Sequence, residues 1–193
     1  MLSNEQNISF QIYDVNLLMH LILIGFMGSG KSTLGSRISE QMGRPLIDMD
    51  TRLVERFGCS IVDYVSEFGM ESFRVEEADL LRSVMNEPES VIATGGGVPC
   101  ADGAMEWMRR HGVVVHLSVP VPELANRLKD NLSSRPLLSD VAAEDLERVI
   151  GRQLLVRSGC YSGAHVKWDN VQWDDDLLAH KLSSIGWRLR EAL

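Results

Sequence analysis

The sequence predicts an α/β fold in which a five-stranded, mainly parallel sheet carries helices on both of its faces. Short apolar runs alternate along the 193 residues with segments whose apolar positions recur every three to four residues. A glycine-rich turn joins the first apolar run to the first such segment. Alternation of this kind favours parallel strands joined by right-handed helical crossovers. The length is typical of one domain, and 45% hydrophobic residues suit a globular core.

The first strand is expected within residues 17–24, and the first helix follows the glycine turn and stops at Met42, before Gly43. Further strands are predicted at 46–47, 91–93, 113–117 and 164–168, and helices at 52–57, 61–68, 71–85, 105–110, 122–128, 142–160 and around 178–189. Residues 1–16 are interpreted as an N-terminal extension and residues 17–193 as a single domain. Within that domain, weak periodicity at residues 131–141 predicts a mobile lid.

Charge and cysteine content narrow the classes of partner and the compartment. A formal net charge of −8 argues against a nucleic acid or an anionic membrane as the main partner. The three cysteines, Cys59, Cys100 and Cys160, form no C-x-x-C pair, so we expect no disulfide and a reducing cytoplasm. A signal peptide requires basic residues near its start, and no lysine or arginine precedes Lys31. The apolar run 17–26 is too short to span a bilayer.

Residues 25–32 fit the pattern G-x-x-x-x-G-K-[ST] of a phosphate-binding loop. Glycines let the backbone approach an anion closely, and the amide N–H groups point inward at the positive end of the next helix. Lys31 supplies a charge for the outer phosphates, and the Ser32 hydroxyl can bind Mg²⁺. The predicted nucleotide-binding residues of this loop are Gly28, Ser29, Gly30, Lys31, Ser32 and Thr33.

Two aspartates, Asp48 and Asp50, follow the second predicted strand. In extended backbone, residues two apart point to the same side, so both carboxylates are expected to face one site. One can hold Mg²⁺ through water, and the other can accept a hydroxyl proton beside a γ-phosphate. The alternative is a turn that ends the strand with two solvated aspartates. Ligands of such sheets bind beyond the carboxyl ends of the strands. The glycine triplet 95–97 also follows a predicted strand, so we expect it at the same edge of the sheet as the two aspartates.

Four further features give the chain a specific resemblance. They are the F-R-x-x-E of residues 73–77, the G-G-G of residues 95–97, the R-P-L-L of residues 135–138, and the pair Arg157 and Tyr161. With the phosphate loop and the D-x-D of residues 48–50, they occur in the same order as in shikimate kinases and at similar spacings. From about residue 21 to residue 161 the chain resembles that family.

The resemblance implies a three-layer P-loop kinase fold and transfer of a phosphoryl group from ATP to the 3-hydroxyl of shikimate, with one Mg²⁺ per ATP. It implies a catalytic role for Asp50, which would bind and orient the hydroxyl, together with Lys31 and Arg135. Arg135 would close from the lid over the phosphates, and Arg127 falls near a position that stacks on adenine. Ser32 would bind the metal directly and Asp48 through water.

On the acceptor side, the resemblance assigns the shikimate carboxylate to Arg74 and Arg157, whose forked guanidinium groups suit that task. Gly96, within the triplet Gly95, Gly96 and Gly97, matches a backbone contact to the substrate. Glu77 matches an acid that holds Arg74 in place. The expected partners are therefore ATP and shikimate, with no nucleic acid and no membrane, and the expected state is a cytoplasmic monomer.

Some alternatives remain open at this point. Met70 stands where the family usually has a glutamate, and the residues after Tyr161 match the family poorly. Arg74 and Glu77 could form an ordinary helical ion pair, and Arg135 could be an exposed loop arginine. Three rival functions remain: a P-loop kinase of another small hydroxy acid, such as a gluconate-type kinase, a P-loop kinase of a nucleotide, and a non-catalytic nucleotide-binding module.

Overall fold

The computed structural model describes residues 19–130, 132, 135–138 and 141–169. Five strands form one sheet in the order β2-β3-β1-β4-β5, and each of the four pairings is parallel. The strands are β1 (His20–Ile24), β2 (Leu46–Asp48), β3 (Val91–Ala93), β4 (Gly112–Leu117) and β5 (Val166–Trp168). The predicted α/β fold is thereby confirmed.

Six α-helices connect these strands in the described part of the chain, with two 3₁₀ turns at Val98–Cys100 and Ala143–Asp145. The helices are α1 (Lys31–Met42), α2 (Met49–Phe57), α3 (Ile61–Val84), α4 (Ala104–His111), α5 (Val121–Leu128) and α6 (Leu146–Tyr161). Left-handed glycines end α1 at Gly43 and α2 at Gly58, because glycine adopts positive φ without a steric cost. Among these helices, none has the length and apolar character to cross a membrane.

The central strand β1 separates two apolar layers. Its alternate residues face opposite sides of the sheet, so Ile22 and Ile24 join one buried cluster while Leu21 and Leu23 join the other. All four side chains are fully buried, each worth about 1.5–3 kcal/mol of transfer free energy. A central strand that is buried on both faces holds the turns at its carboxyl end rigidly in place.

Residues 61–84 are helical, nearly as predicted, but the prediction of two separate helices at 61–68 and 71–85 is wrong. The two expected helices form one element, α3, with a kink at Gly69, whose φ of 83° and ψ of 162° are not helical. Glycine allows that conformation, and the helix resumes directly beyond it. The kink matters for the site because Met70 and Arg74 lie just after it.

The expectation of unpaired cysteines is also wrong. Cys100 and Cys160 form a disulfide with their Cα atoms 5.1 Å apart, and Cys59 is the free cysteine of the described residues. Sixty positions separate the two partners, so their spacing in the sequence contained no sign of the pairing. The predicted extension at 1–16 and the helix around 178–189 lie outside the described residues, as does part of the lid at 131–141.

Candidate active site

The phosphate loop lies between β1 and α1, at the carboxyl edge of the sheet. Gly25, Gly28 and Gly30 have φ angles of 147°, 76° and 95°, a region that side chains rarely tolerate. A Cβ at Gly25 would also lie 2.7 Å from the Leu117 carbonyl oxygen. The Lys31 ammonium is held by the loop itself, since Nζ donates to the carbonyl oxygens of Gly25 and Phe26 at 3.0 Å each. The loop is thus a preformed anion cradle with a cation at its centre.

A cavity of about 520 Å³ opens over this loop. All the nucleotide-binding residues predicted from the sequence line it: Gly28, Ser29, Gly30, Lys31, Ser32, Thr33, Arg127 and Arg135. Asp48 and Asp50 complete its polar wall. Its size and its cradle suit a nucleotide with several phosphates.

Sequence reasoning missed Arg37, Leu117, Val119 and Trp168, which also line this cavity. Leu117 and Trp168 end β4 and β5, and Val119 follows β4 by two residues. The rule that ligands bind beyond strand carboxyl ends could have identified these three, and Trp168 gives the cavity an aromatic wall. No spacing signal distinguishes Arg37 from the chain's other helical arginines.

The two aspartates reach the cavity by a geometry that the sequence analysis described wrongly. Asp48 ends β2 and caps α2, where its Oδ1 accepts from the Thr51 N–H at 3.2 Å. Asp50 is therefore in the first turn of a helix and not in extended backbone. Aspartate is a strong helix cap, and here α2 begins at Met49, directly after Asp48, so the extended backbone expected through Asp50 ends at Asp48. The other Asp48 oxygen, Oδ2, accepts from the Ser32 hydroxyl at 2.5 Å.

A second cavity, of about 80 Å³, adjoins the first. Every acceptor-binding residue predicted from the sequence lines it: Asp50, Arg74, Gly95, Gly96, Gly97 and Arg157. The remaining wall is largely apolar and includes Met27, Ile61, Met70 and Phe73. An apolar wall with three guanidinium groups and two carboxylates suits a small, polar, anionic molecule with one hydrocarbon face.

Arg74 is held by Glu77, which is only 5% exposed, through an ion pair on α3. This is an i,i+3 pair, as an ordinary helical pairing would be, yet both partners line the second cavity. The glycine triplet makes room for them. A Cβ at Gly97 would collide with the Arg74 guanidinium, and one at Gly95 would lie 2.5 Å from Glu77 Oε1. The triplet thus lets the charged groups lie against bare backbone.

Helix α6 contributes Arg157 to the lining of the second cavity and carries the buried Tyr161 four residues further on. The Tyr161 hydroxyl donates to the Gly96 carbonyl oxygen at 2.6 Å, and Arg157 Nη1 donates to the same oxygen at 3.5 Å. The Arg157 guanidinium also lies over the Phe26 ring, 5.1 Å from its centroid. Tyr161 had no assigned role in the sequence analysis, and the structure places it as the anchor between α6 and the glycine triplet.

Arg135 lies where the two cavities meet. Its Nη1 is 4.0 Å from Asp50 Oδ2, and its side chain is 39% exposed, so it is a loop arginine that faces the site. Arg127 binds the phosphate loop instead, with Nη1 donating to the Gly28 carbonyl oxygen at 3.2 Å and Nε to Glu123 at 2.7 Å. Among the described residues, four line both cavities: Met27, Asp50, Gly96 and Arg135.

The site perturbs its own titrating groups. Burial lowers the pKa of Lys31 to about 8, and the nearby Asp50 charge opposes that shift. Loss of surrounding water raises the pKa of Asp50, although 42% of its side chain is exposed, and Lys31 opposes this shift too. Burial likewise raises the pKa of Glu77, against the effect of Arg74. A carboxylate with a raised pKa is a better proton acceptor near neutral pH.

The parallel sheet, the phosphate cradle and an adjoining acceptor cavity define a P-loop phosphotransferase of small molecules. The family model for shikimate kinase matches residues 27–171. A shikimate kinase from Parabacteroides distasonis is 32% identical over 167 residues, which cover 86% of this chain and 96% of that relative. The chain therefore belongs to the shikimate kinase family.

Solved structures agree with this assignment. The shikimate kinase from Acinetobacter baumannii, determined in complex with shikimate, superimposes with a TM-score of 0.78 at 30% identity and covers 87% of this chain and 92% of its own. That from Bacteroides thetaiotaomicron gives 0.77 at 31% identity, over 87% of this chain and 96% of its own. The chain is accordingly an ATP-dependent kinase of shikimate, and the rival functions are not favoured.

Proposed function

We propose that the two cavities bind ATP and shikimate side by side and that the γ-phosphoryl group passes to the 3-hydroxyl of shikimate. One observation carries this assignment of sites: Asp50 and Arg135 line both cavities, beside the Lys31 ammonium. Phosphoryl transfer needs the two reacting oxygens in line through phosphorus, and a shared boundary between the cavities supplies that placement.

The nucleotide is held mainly by backbone. The loop amide N–H groups and the start of α1 bind the phosphates, and Lys31 leaves its carbonyl partners to pair with the outer ones. Burial strengthens that pairing, because a charge in a poorly solvated cavity interacts more strongly than one in water. Arg127 and Trp168, which line the same cavity, border the adenine base.

The acceptor is held mainly by side chains. Arg74 and Arg157 bind the shikimate carboxylate with forked, permanently charged donors. The backbone of the glycine triplet contacts the ring, with Gly96 at the boundary of both cavities. The apolar wall around Met70 and Phe73 covers the hydrocarbon face of the ring. With the carboxylate at the two arginines and the hydrocarbon face at the apolar wall, the hydroxyl groups of shikimate point toward Asp50.

Asp50 accepts a hydrogen bond from the 3-hydroxyl and receives its proton as the new oxygen–phosphorus bond forms, while the bond between the γ-phosphorus and the oxygen of ADP breaks and ADP leaves. Arg135 exchanges its Asp50 contact for the phosphoryl group and offsets the charge that develops there. As the lid closes over both substrates, water is excluded as a competing acceptor.

The chain also fits one Mg²⁺ per ATP. The Ser32 hydroxyl and the Asp48 carboxylate already lie together, and hydroxyl, carboxylate, phosphate and water oxygens are the ligands that this ion prefers. Ser32 would bind the ion directly and Asp48 through water. When bound, the ion would neutralise part of the negative charge of the phosphates.

We further propose a monomer, because both cavities are lined by residues of one chain. The net charge of −8 supports the absence of a nucleic-acid or anionic-membrane partner. We retain the cytoplasm as the location because the reaction consumes ATP. The cysteines do not support this location, since Cys100 and Cys160 form a disulfide.

The test is a coupled assay of ADP release from ATP and Mg²⁺, with and without shikimate. We expect release to depend on shikimate and the phosphate to be found on the 3-oxygen by phosphorus NMR. Gluconate and nucleoside monophosphates serve as matched acceptors at the same concentration. Faster release with either of them would overturn the proposed acceptor, and nucleotide binding without transfer to any acceptor would favour the non-catalytic module.

A further inference from the structure

The Cys100–Cys160 disulfide joins two elements that form the acceptor cavity. Cys100 ends the 3₁₀ turn that directly follows the glycine triplet, and Cys160 lies in the last turn of α6. Arg157 is three residues before Cys160, and Tyr161 is the residue after it. The bond therefore connects the strand-end loop that contacts the acceptor to the helix that carries one of its two arginines.

The polar contacts across the same junction are few. Apart from apolar packing, the described hydrogen bonds between the triplet and α6 are those that Tyr161 and Arg157 donate to the Gly96 carbonyl oxygen, and the second is long at 3.5 Å. Residues around this junction also set the position of Arg74, because Gly97 lies against its guanidinium. A change in the distance between α6 and the triplet would thus alter the spacing of both arginines.

We propose that the Cys100–Cys160 pair is a redox-sensitive positioning link of the acceptor cavity. In the bonded state it holds α6 against the glycine triplet and keeps Arg157 at the separation from Arg74 that a carboxylate requires. In the dithiol state that separation is kept by the Tyr161 contact and packing alone, so Arg157 must be ordered when the acceptor binds. This inference rests on the proposed placement of shikimate in this cavity.

The exchange balances with a dithiol as reductant. Its thiolate attacks one sulfur, the Cys100–Cys160 bond breaks, and two electrons and two protons pass to the cysteines as the reductant closes into a cyclic disulfide. A small disulfide such as oxidised glutathione reverses the step and is released as two thiols. Both cysteines are partly exposed, so reagents of this size can reach the sulfurs.

The expected signature is specific to one substrate. Ordering a long side chain on binding costs affinity, so reduction should raise the KM for shikimate roughly threefold to tenfold. The nucleotide cavity contains neither cysteine among its lining residues, and its cradle belongs to β1 and α1. The KM for ATP should therefore stay within about twofold, as should kcat, because Asp50 and Lys31 are not displaced.

The experiment compares one preparation of the full chain, oxidised with glutathione disulfide or reduced with dithiothreitol, in the ADP-release assay. Mass spectrometry of an unreduced digest should show the peptides of Cys100 and Cys160 linked in the first sample only. Reoxidation should restore the lower KM for shikimate. Because both samples are the same polypeptide, a folding defect of a variant cannot produce the difference.

Variants identify the sulfurs involved. The double variant Cys100→Ser/Cys160→Ser should show the KM of the reduced protein and no response to either reagent, whereas Cys59→Ser should respond as the wild type does. An equal KM for shikimate in both redox states, or no linked peptide after oxidation, would overturn the link. Absence of shikimate-dependent ADP release in both states would overturn the proposed function, and this inference with it.

Discussion

The two cavities are built in opposite ways. The phosphate cradle comes from one segment of eight residues, and its main contacts to a ligand are backbone N–H groups and one buried ammonium. The acceptor cavity draws on α2, α3, the glycine triplet, the 135–137 segment and α6, and its polar contacts are mostly charged side chains. A local cradle depends on backbone angles, whereas a dispersed cavity depends on how several elements pack.

The difference predicts how each cavity responds to change. Substitutions in the acceptor cavity should alter the KM for shikimate or the rate of transfer and leave ATP binding intact. Changes in the charge of Lys31 should weaken the use of ATP and leave the KM for shikimate intact. A variant in which both parameters shift together would show that the two cavities are coupled more tightly than their separate construction implies.

The largest effect is expected for Asp50→Asn, which keeps the shape of the side chain but removes its ability to accept a proton. The kcat should fall by at least about 10²-fold, while the Kd for ATP, measured by calorimetry, stays within about twofold. The control is Asp63→Asn, since Asp63 also lies in the first turn of a helix but is exposed, where it contacts Ser60. Near-normal turnover of Asp50→Asn would remove this residue from its proposed role.

A smaller effect is expected for Arg74→Ala. Loss of a charge-assisted contact to the carboxylate should raise the KM for shikimate about tenfold to 10²-fold, with the KM for ATP little changed. Arg56→Ala is the matched control, because Arg56 on α2 forms exposed ion pairs with Glu76 and Asp79 on α3, the helix that also carries Arg74. If the KM for shikimate were unchanged in Arg74→Ala, the ion pair with Glu77 would be purely structural.

Gly97→Ala tests the same arginine without removing it. Gly97 has helical angles, φ −95° and ψ −18°, so alanine fits the backbone, but its Cβ must displace the Arg74 guanidinium. We expect the KM for shikimate to rise about fivefold to tenfold, with a loss of unfolding free energy under about 1 kcal/mol. Gly151→Ala on α6 meets nothing within 4 Å and should change neither KM. A large loss of thermal stability in Gly97→Ala would instead indicate a rigid junction.

The smallest effect is expected for the pH dependence of kcat/KM for ATP, which reports on the nucleotide cavity alone. Lys31 has a pKa of about 8, so it is mostly charged below that pH and loses its charge as the pH rises through it. The kcat/KM for ATP should therefore fall about threefold between about pH 7.5 and about pH 8.5, the ratio of protonated fractions. Lys31→Arg stays charged and should show no such fall, whatever its absolute rate. A flat wild-type profile would contradict the lowered pKa.

Much of the fold follows from local sequence. The buried run of β1, the glycines that end α1 and α2, and the alternation of strands and helices are each encoded within a few neighbouring residues. The phosphate loop is the strongest case, because its angles and its charge belong to one segment. Elements of this kind depend on short-range sterics and periodicity, which spacing in the sequence reports directly.

Tertiary structure decided the rest. Asp50 faces the site from a helical turn because Asp48 caps α2, and α3 continues through Gly69 because its second half packs on the same core as its first. The pairing of Cys100 with Cys160 and the entry of Trp168 into the nucleotide cavity depend on contacts between elements far apart in the chain. Such contacts are set by how layers pack, and no local pattern records that geometry.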